Sequence, residues 1–165
     1  MEPVTQDFVE QTADFMMHLT KKQLDERVEE LKKRQFNIHN IVKVGMMNSK
    51  GQEKLDYVFR MALIIVRVME SYEIKIPMIS IVSIKEIINS DRKRSEMNTK
   101  HLPEEEKLQE SLDMIGQPNY VIYLKEMVST DLVYQSIFDQ DESHNIFFIM
   151  MTIALVYSRT LERYS

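Results

Sequence analysis

The sequence predicts an all-α protein, an irregular or orthogonal bundle of about seven to eight helices with an apolar C-terminal helix at or near its centre. Along most of the chain apolar residues recur every three or four positions, which is the spacing of one helix face. Convincing strand patterns are few. The 165 residues suffice for one domain with its own core. We therefore expect a single helical domain over 1–165, with a polar connecting segment at about 90–103.

The C-terminal helix is the best-marked element. Residues 146–157 contain a single polar side chain, Thr152. A helix that is apolar all round must be covered on more than one side, either by its own domain or by a partner. Its predicted permanent core stripe is Ile146, Met150, Ile153, Tyr157, Leu161 and Tyr164. A second stripe on the other side is the predicted partner-binding surface, and it consists of Phe148, Met151 and Leu155.

The first predicted helix covers residues 5–19. Its expected core face carries Phe8, Thr12, Phe15 and Leu19. The opposite line carries the acids Asp7, Glu10 and Asp14 together with His18. Such a column could supply acid and base groups, but its position opposite the apolar face favours an ordinary solvated surface.

Capping residues and turns divide the next part of the chain. Thr20, with Gln23 three residues later, predicts a capping box and a second helix. Residues 37–48 favour a short helix, although the stretch 41–44 could also be extended. A turn at 48–51 precedes a strong helix from Gln52 to about Tyr72.

The following elements are predicted from prolines and polar stretches. Pro77 suits the first position of a helix through about Asn89, although the Ile and Val content also allows a strand. The polar residues after it form the expected connecting segment, and Pro103 opens a helix that Gly116 ends. Two helices are then predicted over 118–128 and 131–138, with Thr130 capping the second.

Composition excludes several classes of site. The chain has no cysteine, so disulfides, thiolate ligands and thiol catalysis are ruled out. Its three glycines are too far apart to build a phosphate loop or a nucleophile elbow. The thirteen methionines suit irregular core gaps or adaptable binding surfaces. We expect no cofactor and no metal.

The predicted location is the cytoplasm, without membrane contact. The apolar run at 146–157 is shorter than the roughly 20 residues that span a bilayer, and residues 1–7 lack the features of an export signal.

One acidic segment resembles the start of a calcium loop. Asp139, Asp141 and Ser143 place oxygen atoms at alternating positions. His144 stands where that loop needs glycine, however, and Met150 where it needs a bidentate glutamate. The segment is therefore better interpreted as the cap of the last helix.

Charge argues against nucleic acid. The net charge is −5. Residues 1–90 hold 13 basic and 13 acidic side chains, which balance. Residues 91–165 hold 8 basic and 13 acidic side chains, so the whole negative excess lies there. Residues 118–138 have the outline of a helix-turn-helix, but its second helix lacks Arg and Lys. Possible phosphate contacts are Arg92, Lys93, Arg94 and Lys100, although a solvated loop is the favoured interpretation of this basic cluster.

Two hypotheses follow. The first is a non-enzymatic helical protein that binds another protein or itself, as an adaptor, a virion or assembly component, an inhibitor or an immunity-type binder. The second is a nucleic-acid-associated regulator that uses the helix-turn-helix-like segment at 118–138. An enzyme is not expected, since no catalytic motif is recognisable.

Overall fold

The computed structural model describes residues 1–113 and 115–165, without the side chains at positions 98, 99, 107 and 108. These residues form nine helices. They are α1 (Gln6–Met17), α2 (Lys21–Arg34), α3 (Phe36–Gly45), α4 (Gln52–Glu70), α5 (Ile81–Thr99), α6 (Glu104–Asp113), α7 (Pro118–Thr130), α8 (Leu132–Ile137) and α9 (Gln140–Tyr164). These ranges contain no strand, so the all-α prediction is confirmed, with one or two helices more than expected.

Two helices begin with capping boxes. At α2 the Thr20 side chain accepts a hydrogen bond from the Gln23 N–H, and Gln23 Oε1 accepts the Thr20 N–H at 2.9 Å, as predicted. At α9 Asp139 and Glu142 exchange the same two bonds. Each box satisfies backbone N–H groups that lack a partner within the helix. The acidic segment that resembles a calcium loop is therefore a helix cap.

The centre of the core is formed by α4 and α9. Helix α4 packs against α1, α2, α3 and α9, and between Val58 and Met69 only its two arginines are not buried. Helix α9 packs against α3, α4 and α5. Its predicted core stripe is buried from Ile146 to Leu161. Tyr164 is the exception, at 53% exposure, because the last turn of α9 projects into solvent.

Helix α9 continues well beyond its apolar run. Its length and composition alone would allow it to cross a bilayer, and among the described residues no other helix meets both conditions. Of its most apolar stretch, 56% is already buried inside the protein. That burial is what a central helix of a helical domain requires.

The buried face of α1 matches the predicted one in part. Thr12 and Leu19 are buried and Phe8 is partly buried, as predicted, but Val9, Ala13 and Met16 are buried as well. Phe15 is the residue for which the prediction is wrong, since it is 51% exposed and lies under the Arg27 guanidinium, 4.9 Å from the ring centroid. The large ring of Phe15 is instead covered in part by a cation.

Both predicted ends of α5 are wrong. The helix begins at Ile81, with Ser80 as its N-cap, and not at Pro77. The buried Gln35 side chain binds the residues before it, since it donates to Pro77 O at 3.0 Å and accepts from Ile79 N–H at 2.9 Å. The helix also continues through the polar residues 90–99. Asp91 is buried there and receives two bonds from Arg159 of α9, at 3.0 and 3.1 Å.

Helices α7 and α8 meet at Asp131, which caps α8 by accepting the Tyr134 N–H at 2.9 Å. The predicted cap, Thr130, belongs to α7, and its hydroxyl donates to Glu126 O at 2.6 Å. A single residue therefore joins the two helices, where a helix-turn-helix needs a turn of three or four.

Candidate functional site

An apolar cleft of about 340 Å³ lies between α3, the start of α5 and α9. Helix α9 forms its floor, and α3 and α5 form its walls. The lining residues are Asn37, Asn40, Ile41, Val44, Gly45, Ile81, Ile84, Asn145, Phe148, Ile149 and Thr152. All are uncharged, so the cleft suits apolar groups with a neutral polar rim.

The joint between the floor and the first wall depends on Gly45. A Cβ at this position would lie 2.5 Å from Ile149 Cδ1 and 2.8 Å from Cγ1, closer than carbon atoms pack. Asn145 on α9 donates to Gly45 O at 2.6 Å and satisfies a carbonyl at the end of α3. Glycine therefore lets α3 rest directly on α9, and Val44 and Phe148 both line the cleft at this joint.

The second wall is oriented by side chains from the first. Asn37 on α3 donates to Ile79 O at 2.9 Å, just before α5 begins. The Ser80 side chain then accepts from the Ser83 N–H and sets the direction of the first turn. Ile81 and Ile84, three positions apart, consequently both border the cleft.

Large apolar side chains in and around this cleft are open to solvent. Phe148 is 69% exposed and Val44 is 56% exposed. Ile81 on α5, which also lines the cleft, is 48% exposed. Grouped apolar exposure of this kind is typical of a surface that binds another molecule.

The predicted partner-binding stripe does not stay together. Phe148 lines the cleft. Met151 and Leu155 are partly buried and pack against the core. The residues of α9 that line the cleft are instead Asn145, Phe148, Ile149 and Thr152.

The predicted phosphate contacts lie on a helix. Arg92, Lys93 and Arg94 occupy consecutive positions of α5 and are exposed, so they project in different directions around the helix axis. Arg92 lies 4.0 Å from Glu96, and Arg94 lies 3.9 Å from Asp91. Lys100 is the C-cap residue. The helix therefore does not gather these cations on one face.

No cluster of three or more His, Asp or Glu side chains suited to a metal ion occurs within residues 1–113 and 115–165. The acid of the last capping box, Glu142, pairs instead with Lys54 at 2.8 Å. Its pKa is lowered mainly by that bond.

The residues of α3 and α5 that line the cleft could not be predicted from the sequence. Ile41 and Val44 are spaced as one helix face, and so are Ile81 and Ile84. This spacing alone does not distinguish core from surface, nor does it show that two helices distant in sequence flank the same turn of α9. Gly45 was the one local signal, since an interior glycine often marks a close approach of two backbones.

Comparison of this chain with protein-family models, with curated proteins and with solved structures found no match in any of the three.

Proposed function

We propose that this protein is a non-enzymatic interaction protein, built as an irregular helical bundle, that binds another protein or a second copy of itself through the cleft between α3, α5 and α9. The observation that carries the proposal is the exposure of Phe148 beside an uncharged, largely apolar cleft. The cleft offers a partner both a ring to cover and a groove to enter.

Burial of Phe148 would provide much of the binding free energy. Full burial of a Phe side chain stabilises a complex by about 1.5–3 kcal/mol. Aromatic residues at the centre of an apolar patch are frequent hot spots, since neighbouring contacts exclude water around them. Val44 and Ile81 line the same cleft as Phe148 and are the candidates for such contacts.

The shape of the cleft suits an apolar helix face or a protruding apolar side chain. Two helical walls over a helical floor form a groove, and such grooves accept amphipathic helices through apolar residues three and four positions apart. Asn40 and Thr152 on the rim offer neutral hydrogen-bonding groups to such a partner. Partner selection would then depend on shape more than on charge.

The test is the replacement Phe148→Asp, which puts a charge where the ring should be buried. We expect the variant to fold like the wild type, since the ring is mostly exposed, and to lose self-association or a co-purifying protein. Sedimentation velocity at two concentrations, on protein purified from the native host, measures both outcomes. Circular dichroism on heating checks the fold.

The matched control is Leu132→Asp. Leu132 is an even more exposed apolar residue, on α8, and does not line the cleft. It should retain whatever complex the wild type forms. A wild-type protein that is monomeric and without a partner at every concentration would contradict the proposal, as would equal loss of binding in both variants.

The nucleic-acid alternative has a separate test. Helix α8 carries no Arg or Lys, and Asp131 alone joins it to α7. Titration with duplex DNA at low salt should give no binding. Binding that weakens steeply as salt rises would support the alternative instead.

A further inference from the structure

A second cleft, of about 530 Å³, lies between α1, α4, α7 and α8. It shares no lining residue with the apolar cleft. Its polar lining includes the carboxylates Glu10, Asp14 and Asp131, the rings of Tyr57 and Tyr123, and the guanidinium of Arg60. Five of these six groups are acids or aromatic rings.

Part of the acidic column of α1 borders this cleft. The sequence favoured an ordinary solvated face for Glu10, Asp14 and His18. All three line the cleft and are exposed. The cleft therefore brings exposed acids of α1 together with tyrosines of α4 and α7.

The charges in the cleft do not cancel. Glu10 accepts a bond from the Gln6 amide at 3.0 Å, and Asp131 accepts one from the Tyr134 N–H at 2.9 Å, both neutral donors. Arg60 donates to Met16 O at 2.9 Å, at the C-terminal end of α1. Asp14 lies 3.3 Å from Nδ1 of His18, which also lines the cleft. Apart from this histidine, three carboxylates stand against one guanidinium, so the acids outnumber the permanent cations by two.

The tyrosines remain neutral phenols. Burial, followed by the charge of Asp131, raises the pKa of Tyr57 to about 12. Burial, the neighbouring Tyr57 and Asp131 likewise raise the pKa of Tyr123. Neutral aromatic rings attract cations through their faces. The cleft therefore combines carboxylates with the aromatic surface typical of sites for organic cations.

We propose that this second cleft binds a Lys or Arg side chain presented by a basic segment of a partner protein. The carboxylates and tyrosine rings would receive the charged head. Ala13, Met17 and Met127, which also line the cleft, would cover the aliphatic stem, as apolar surfaces do for long basic side chains. A site of this kind goes beyond the proposed function, because it selects a partner by charge at a different surface.

The test is an NMR titration of the isotopically labelled full chain with four capped tripeptides, in which glycines flank Arg, Lys, citrulline or norleucine. The Arg and Lys peptides should shift the resonances of Tyr57, Tyr123 and Asp131, and the shifts should decrease as salt rises. The two uncharged peptides should cause much smaller shifts. Equal binding of citrulline and Arg would overturn the proposal.

A pair of charge-neutralising replacements locates the site. Asp131→Asn keeps an N-cap, since the Asn side chain caps equally well, and Glu10→Gln preserves size. Each replacement should weaken Arg-peptide binding by about two- to fivefold, the factor of a partly exposed ion pair. Asp139→Asn is the matched control, because it makes the same exchange at the cap of α9 outside the cleft. Equal weakening by all three replacements, or none, would place peptide binding elsewhere and overturn the proposal.

A fifth titration separates a partner's side chain from a free small cation. Spermidine supplies ammonium groups without a peptide backbone. If spermidine shifts Tyr57 and Tyr123 while the Arg and Lys peptides do not, the cleft is a small-cation site, and the proposal is wrong.

Discussion

His39 is a buried residue whose titration depends on the fold. Its ring stacks on Phe59, with centroids 5.1 Å apart, and its Nδ1 has no hydrogen-bond partner among the described residues. Burial, followed by the charges of Lys32 and Lys43, lowers the pKa of His39 below its ordinary value of 6.5. The folded protein therefore holds this imidazole neutral, while the unfolded chain protonates it near pH 6.5.

This difference predicts a loss of stability in acid. Above pH 6.5 His39 is neutral in both states. As the pH falls through 6.5 toward the lower folded-state pKa, only the unfolded chain binds the proton. This lowers the free energy of unfolding by up to about 1.4 kcal/mol for each pH unit. His39→Phe keeps the ring and removes the titration. Urea unfolding at pH 7.5 and 5.0 should show a smaller loss in this variant than in the wild type. An identical loss of stability in the variant and the wild type would contradict the attribution of this loss to His39.

At the scale of elements, the contact of α3 with α9 determines where the apolar cleft opens. Gly45 ends α3 at the point where any larger residue would meet Ile149. Ile149 is itself buried, and its branched side chain has few alternative rotamers. The contact therefore has little capacity to adjust to an added methyl group.

Gly45→Ala is expected to destabilise the fold by about 1–2 kcal/mol, since the cost of overpacking exceeds the gain in helix propensity. Ile149→Val removes the atom that the new Cβ meets at 2.5 Å. In a double-mutant cycle measured by urea unfolding, this second change should recover part of the loss. Additive effects of the two changes, or a neutral Gly45→Ala, would show that the helices are not in tight contact there.

Local chemistry explains which elements could be predicted. The capping box at Thr20 and the acidic cap at Asp139 depend on residues within one turn, and both were correctly identified. The start of α5 depends on Gln35, more than forty positions away, and its continuation depends on the pairing of Asp91 with Arg159. A single sequence does not display such long-range partners, which is why the predicted connection at about 90–103 proves helical through residue 99.

At the scale of the whole molecule, the long apolar C-terminal helix resolves into a buried part and an exposed turn. The core stripe of α9 is covered by α3, α4 and α5, and Met151 and Leu155 pack against the core. Of the predicted partner-binding residues, Phe148 alone remains largely exposed. Periodicity could separate the two faces of this helix, but it could not show which neighbours would cover the second one.

The two clefts differ in the partners that they favour. The apolar cleft carries no charged lining residue, whereas the second cleft holds a net negative charge. A complex formed through the first should be insensitive to salt, while peptide binding at the second should weaken as salt rises. Salt dependence therefore distinguishes which surface a given partner uses.

The most direct measurement of the central claim is photo-crosslinking from position 148. Phe148 is replaced by the photoreactive residue benzoylphenylalanine in the cells that naturally make the protein, and Leu132 is replaced in the same way as the control. On irradiation we expect a discrete covalent adduct, with another protein or a second copy, from position 148 and not from position 132. The absence of any adduct at position 148, or the same adducts at both positions, would contradict the account.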